Sequence, residues 1–290
     1  MSLSLADRIA VWPQYLLPQR LLTSLANRIS NARSSWIRRP LIGVFRRLFP
    51  VKLSEAAQPD PGQYESFNAF FTRALREGAR PLACSSHRLI SPCDGTLSQL
   101  GRISEGQLIQ AKGVRYSAAE LLGSQEWADQ FSDGHFITIY LAPYDYHRVH
   151  APIAGTPVAE TRMPGRLCSV SGRTAREVPG LFAQNERMAV LLQTEQGPVA
   201  VVMVAAMLVA GIETAWRPNG PYRSGETRVE EPLATAALAR GQELGRFHWG
   251  STVIVLTPPD FPDWLPDLKA GQTMRLGQAL TVEEPVPTEE

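Results

Sequence analysis

The chain has 290 residues, 44% of them hydrophobic, enough for one large domain or two small ones around a sizeable core. Its three cysteines, Cys84, Cys93 and Cys168, lack CxxC spacing, which argues against a disulfide framework or a cysteine zinc site and fits a reducing compartment. The net charge of +1 conceals an asymmetry: residues 1–52 hold nine Arg and Lys against Asp7 alone, a net of +8, leaving −7 on the rest.

That basic end reads as amphipathic helices. Leu21, Leu22, Leu25 and Ile29 keep helical spacing, as do Leu41, Val44, Phe45, Leu48 and Phe49, with Arg46 and Arg47 opposite. Trp12, Tyr15 and Trp36 are aromatics of the kind found at bilayer interfaces, and Pro13, Pro18, Pro40 and Pro50 are expected to break the region into short helices. Apolar stripes beside arginines suit an anionic bilayer surface, each cation contributing about 1 kcal/mol near it. The plainer alternative is helices that cap the protein's own core. No secretory signal is evident, and the longest apolar run, 199–212, is too short to span a bilayer and reads as buried strand. The protein is therefore expected not to cross a membrane.

Residues 53–64 read as a linker, dividing the chain into a membrane-associating helical region and linker, 1–64, and a β-rich catalytic domain, 65–290. Ser66 is placed to cap a helix carrying Phe67, Phe70, Phe71 and Leu75. Beyond about residue 86, short strands are separated by Gly and Pro: 89–100, 136–141, 189–194, 199–212 and 252–257. One helix intrudes, where Ser117 to Glu120 form a capping box ahead of Leu121 and Leu122. There is no regular βα alternation, no GxGxxG and no Walker loop, so the expected class is α+β with a mostly antiparallel core. The acidic tail, 283–290, reads as disordered, and nothing points to a nucleic-acid partner.

Three segments carry chemistry. Ser91-Pro92-Cys93-Asp94-Gly95 sets an acid between an apolar strand and a turn glycine; alone it reads as a turn aspartate bonding its own backbone. Tyr146-His147-Arg148-Val149-His150 puts two of the five histidines three apart after an apolar strand. A metal site would need further ligands at regular spacing, and Asp145 is the single addition in view. Gly250-Ser251 lies where a loop enters the strand 252–257. Asp, His and Ser are the parts of a triad, but without the GxSxG elbow the spacing alone is a weak sign of a serine nucleophile.

Taken together, the motifs resemble the bacterial, pyruvoyl-dependent phosphatidylserine decarboxylase proenzymes. The residues that carry this are Phe67-Asn68-Ala69-Phe70-Phe71-Thr72-Arg73 with Arg80-Pro81, Ile90 to Gly95, Gln110-Ala111-Lys112-Gly113, and Tyr146 to His150. Gly211-Ile212-Glu213-Thr214 and Gly250-Ser251-Thr252 complete the series, in the family's order. One departure is Trp249, where the family usually has Leu; altered packing is expected there.

The resemblance implies that Ser251, with His150 as general base and Asp94 orienting it, attacks the Gly250 carbonyl and cleaves the chain into 1–250 and 251–290. Ser251 thereby becomes a covalent pyruvoyl cofactor, with no PLP and no metal. The pyruvoyl forms a Schiff base with the amine of phosphatidylserine, carbon dioxide leaves, and phosphatidylethanolamine is released, His147 serving the decarboxylation stage. It also implies that the two cleaved chains stay together, as a dimer of heterodimers, on the cytoplasmic side of the cell membrane. Two rival readings use the same residues differently. In a membrane-associated serine hydrolase, the Asp94-His150-Ser251 triad attacks a lipid ester and the chain stays whole. In a non-enzymatic membrane module, Ser251 merely begins a strand.

Overall fold

A computed structural model describes residues 14, 18–84, 89–111, 113–206, 211–217, 228–230, 232–233, 235–248 and 251–282. The expectations for Trp12, Tyr15, Lys112, Trp249, Gly250 and the tail 283–290 lie outside the described residues.

Two helices open the described chain, α1 (Gln19–Ser30) and α2 (Ser35–Leu48), and a short α3 (Phe67–Phe71) comes after the linker. Pro18 stands at the N-cap of α1 and Pro50 just beyond α2, as expected of helix breakers. Pro40 does not break the chain: α2 runs through it, and the break falls at residues 31–34 instead. Proline removes one backbone donor, and here α2 is anchored on both sides of it. Arg38 Nη1 donates to the Gly62 carbonyl at 2.9 Å, and Ile42 and Phe45 are buried. Those two side chains pack with Tyr64, Phe67, Phe70 and Phe71 into a small aromatic core of their own. Phe45 meets Phe67 edge-on at 5.2 Å, a favourable ring geometry. Ser66 caps α3 as its sequence indicates, its hydroxyl accepting from the Ala69 N–H.

The rest is a β core, which makes the fold α+β. An eight-stranded sheet runs β10 (Arg228–Glu230), β6 (Thr156–Met163), β7 (Arg187–Thr194), β8 (Gly197–Ala205), β12 (Ser251–Thr257), β4 (His135–Leu141), β1 (Gly95–Arg102) and β13 (Thr273–Met274). Every neighbouring pair is antiparallel. A three-stranded sheet has the order β5 (Arg148–His150), β11 (Glu243–Phe247), β9 (Ile212–Thr214), and β2 (Gln107–Ala111) pairs with β3 (Val114–Ser117). Short helices α4 (Ala118–Leu122), α5 (Gln125–Asp129), α6 (Gly172–Glu177) and α7 (Leu181–Gln184) lie between strands. Ser117 caps α4 through the Ala119 and Glu120 N–H groups. Among the described residues, no helix is long and apolar enough to cross a membrane.

The strand read from the apolar run 199–212 ends earlier, with β8 at Ala205. The strand read from residue 89 starts later, at Gly95, because Ser91 to Asp94 form a bend. β12 is the most enclosed strand: all seven of its residues are buried, between β8 on one side and β4 on the other. Ser251 at its head lies opposite Leu141 of β4 and Ala205 of β8.

Gly95 fixes how the Asp94 bend meets this sheet. A Cβ there would stand 2.4 Å from the Tyr140 carbonyl oxygen, closer than any real contact. Gly95→Ala is therefore expected to cost about 1–3 kcal/mol, as overpacking does in other cores. Urea denaturation, with and without Gly95→Ala on a common Ser251→Ala background, checks this; an unchanged midpoint would show that β4 gives way freely.

Candidate active site

Asp94, His147, His150 and Ser251 all lie at or near where the aromatic N-terminal core meets the ends of β1, β4, β5 and β12. Ser251 is fully buried, and its Oγ has no hydrogen-bond partner among the described residues. The loop after β4 carries the histidines. It is closed by Asp145, whose Oδ2 accepts from the Ala142 N–H at 2.7 Å. Arg73, just past α3, braces the same loop by donating from Nη2 to the Tyr144 and Asp145 carbonyls at 3.1 and 3.2 Å. The Phe247 N–H donates to the His147 carbonyl at 3.0 Å, tying this loop to the strand that leads toward Ser251.

His147 is fully enclosed, its ring 4.1 Å from that of Phe71. Its Nδ1 donates to the Asp145 carbonyl at 2.9 Å, and Nε2 has no partner. Burial, reinforced by the Arg73 charge, pushes its pKa down from 6.5 to about 3. The imidazole is thus neutral at pH 7, with Nε2 unprotonated. Asp145 moves the other way: burial raises its carboxyl from 3.8 to about 6.

His150 is held at both nitrogens. Nδ1 donates to the Gly241 carbonyl at 2.8 Å, and Nε2 accepts from the Tyr146 hydroxyl at 3.0 Å. Burial is the main cause that lowers its pKa. Its backbone N–H donates to the Pro92 carbonyl at 2.8 Å, which brings the Asp94 bend alongside. The two side chains are not hydrogen-bonded to each other. Asp94 is instead gripped by Arg80, with Nε 2.9 Å from Oδ1 and Nη2 2.5 Å from Oδ2, and Oδ1 accepts from the Leu276 N–H at 2.9 Å. Arg80 Nη2 also reaches Glu55 Oε2 at 2.6 Å. These bonds, Asp94 first, raise the Arg80 pKa.

The structure therefore gathers the expected residues into one region without joining Asp94, His150 and Ser251 into a hydrogen-bonded relay. Gly250 lies outside the described residues. Sequence reasoning assigned no role to Arg73, Arg80, Tyr146 or Glu55. Arg73, Arg80 and Tyr146 stand inside the motifs that carry the resemblance, which was the available signal. A cavity of about 210 Å³ opens beside Asp94 and is lined by Glu55, Arg73, Arg80, Asp145 and Tyr146, among others.

The two opposed pKa shifts make a pH test. The folded value for His147 lies below its ordinary one, so its contribution to stability is complete above pH 6.5 and is lost as pH falls toward 3. The folded value for Asp145 lies above its ordinary one, so its contribution is present below pH 3.8 and is lost as pH rises through 6. Between pH 5 and 6.5 the two oppose each other. His147→Gln on the Ser251→Ala background should remove about 1.5 kcal/mol of the acid-side loss, measured as the difference between urea stabilities at the two pH values. An unchanged difference would mean that His147 titrates normally.

Comparison with known proteins bears directly on this arrangement. The family model for phosphatidylserine decarboxylase matches residues 67–282, and a further model described as PSD matches residues 9–50. A phosphatidylserine decarboxylase proenzyme of Ectopseudomonas mendocina (strain ymp) is 48% identical over 281 residues, covering 94% of this chain and 98% of its own. Proenzymes of the same name from Pseudomonas putida (strain GB-1) and Acidovorax ebreus (strain TPSY) are 48% identical over 285 residues and 47% over 279. These cover 97% and 95% of this chain, and 99% and 98% of their own. A family match over most of the chain, with relatives this similar from end to end, makes this chain an enzyme of the phosphatidylserine decarboxylase family.

Proposed function

We propose that this chain converts phosphatidylserine to phosphatidylethanolamine and carbon dioxide, using a pyruvoyl group made from its own Ser251 by cutting the Gly250–Ser251 bond. The observation that carries the reading is the position of Ser251, fully buried at the head of the most enclosed strand, with an Oγ that no described residue occupies. In the uncut chain a side chain so enclosed is poorly placed to meet an external ester, which counts against the hydrolase reading. It is well placed to meet its own backbone. Cutting the Gly250–Ser251 bond would free the chain end that the substrate amine must reach. Cleavage there would also leave the short chain bound, because β12 pairs on both sides and Met274 and Leu280 beyond it are fully buried.

In this reading Ser251 Oγ attacks the Gly250 carbonyl carbon, and its proton passes to His150 Nε2 as the Tyr146 hydroxyl yields that lone pair. The amide becomes an ester. Loss of the Ser251 α-proton then expels the Gly250 carboxylate, and the dehydroalanine left on the 251–290 chain hydrolyses to pyruvoyl with release of ammonia. Asp94 lies near enough for its charge to favour the protonated form of His150. Support for their direct pairing comes from the resemblance and from the shared backbone bond at Pro92.

The pyruvoyl carbonyls supply the electron sink for the bond to carbon dioxide. His147 handles protons: its free Nε2 accepts one from the incoming ammonium and returns one to the substrate Cα. Phe71 and Arg73 hold its ring and its loop in place.

The substrate resides in a bilayer, and the outer face of α1 and α2 fits one. Leu21, Leu25, Ile29, Trp36, Val44 and Leu48 are exposed, Trp36 at 89%, beside exposed Arg28, Arg33, Arg39, Arg46 and Arg47. This face would dock the enzyme on the cytoplasmic side of the cell membrane, as a dimer of cleaved heterodimers.

Intact mass spectrometry under denaturing conditions tests the central step. A 1–250 chain and a 251–290 chain one ammonia lighter than simple hydrolysis gives are expected, with Ser251→Ala remaining whole and inactive. A single chain after prolonged incubation, or cleavage in Ser251→Ala, would overturn the scheme. For docking, Leu25→Ser with Leu48→Ser should weaken flotation with phosphatidylglycerol vesicles about tenfold or more, since each leucine buried in the bilayer contributes roughly 1.5–3 kcal/mol. Unchanged flotation would move the membrane contact elsewhere.

A further inference from the structure

His248 stands two residues before the bond proposed to be cut, and two separate segments hold its side chain. Nε2 lies 2.8 Å from Glu213 Oε1 on β9, and both groups are largely buried. Nδ1 meets the Asn68 amide of α3, 2.7 Å from Nδ2 and 2.9 Å from Oδ1. Asn68 Nδ2 has two hydrogens, and the other is placed for Asn31 Oδ1 at the end of α1, 3.2 Å away. The Glu213 carboxylate can only accept, so Nε2 presents its hydrogen to it, while Nδ1 faces both atoms of the Asn68 amide. The backbone N–H of His248 donates to the Gly211 carbonyl at 3.2 Å.

Strand pairing does not require this side chain. β11 is held to β5 and β9 through Glu243 to Phe247, and its ladder ends at Phe247. Ser251 is separately fixed between β4 and β8. The chain is therefore held at Ser251 by two ladders, and at His248 by its imidazole together with the backbone bond to Gly211. Only Trp249 and Gly250 lie between the two anchors.

We propose that His248 is a positioning residue for the self-cleavage: the Glu213–His248–Asn68 clamp fixes the angle at which the Gly250 carbonyl meets Ser251 Oγ. The proposal rests on the cleavage reading and adds to it a requirement that the Ser251, His150 and Asp94 chemistry does not contain. His248 does not touch the reacting atoms. It acts by restricting a short tether, and small misplacements of reacting atoms are costly in rate.

The test tracks cleavage over time in full-length chain made by cell-free synthesis, with denaturing gels and intact mass as readouts. His248→Ala and Glu213→Ala should each slow the appearance of the 1–250 chain about 10- to 100-fold. The double variant should be no slower than the slower single one, because each removes the same clamp. His248→Gln keeps an amide donor toward Glu213 and should restore the rate to within about threefold. Thermal unfolding of each variant on the Ser251→Ala background separates positioning from collapse of the fold. Wild-type cleavage rates in both alanine variants would overturn the proposal. So would slow cleavage that tracks loss of folded protein and that glutamine does not rescue. Should the unsubstituted chain itself never cleave, the cleavage reading falls and takes the clamp with it; normal cleavage with an indifferent His248 removes the clamp alone.

Discussion

β12 is hydrogen-bonded on both edges and buried on both faces, and the rest of the site is built around that enclosure. A strand in that position has no freedom to shift along its neighbours, because a slip by one residue would break two ladders and turn every side chain to the opposite face. Any residue at its head is therefore held to within the play of the whole sheet. Ser251 stands there. The same enclosure keeps water away from its Oγ, so a proton acceptor brought to it does not compete with solvent. A chain cut beside Ser251 would remain one folded body, since β12 itself and much of the chain beyond it are packed into the core.

Dryness has an electrostatic consequence that the surrounding residues answer in two ways. Two of the kept charges are paired: Arg80 spans Asp94 and Glu55, and Arg148 spans the Thr72 carbonyl and Glu243. Where a charge is not paired, the group is pushed to its neutral form, as in His147 and, in direction, His150. Two neutral imidazoles are proton acceptors, which is the form a base needs before reaction. The charge of Arg73 acts on His147 in the same direction, since its field opposes protonation.

Local parts of this design are readable in the sequence and long-range parts are not. The apolar run after Ser251 and the hydroxyl caps at Ser66 and Ser117 each depend on neighbours a few residues away, and they take the form their patterns indicate. Asp94 lies in a bend as read, but its carboxylate meets Arg80 and the Leu276 N–H rather than its own backbone. The apolar stripes of α1 and α2 are visible too, but periodicity cannot say which stripe faces inward. Phe45 and Ile42 turn to the aromatic core while Leu25, Val44 and Leu48 turn out. Pro40 departs from its usual effect because a single lost donor is a small term beside the burial that secures its helix. The partners of the site residues come from far along the chain. His150 finds Gly241 across 91 positions, and Asn68 finds His248 across 180. Arg80 is only 14 positions from Asp94, yet the bend at Ser91 to Asp94 lies between them, so no spacing rule would have paired them.

The short segment from Phe67 to Arg73 shows how the two halves of the molecule become one device. Its aromatic face, Phe67, Phe70 and Phe71, takes up Phe45 and Ile42 from α2, the helix whose other face is apolar and exposed. Other contacts of the segment reach the chemistry: Asn68 to His248, Phe71 to the ring of His147, and Arg73 to the carbonyls of the histidine loop. A helix of five residues has little stability alone, so its position is set by what it packs against on both sides. A shift of α2 would therefore be transmitted to all three contacts at once, because the aromatic core between them is close-packed and yields little. The exposed apolar face of α2 and the contacts to His147, His248 and the histidine loop thus share a single close-packed spacer.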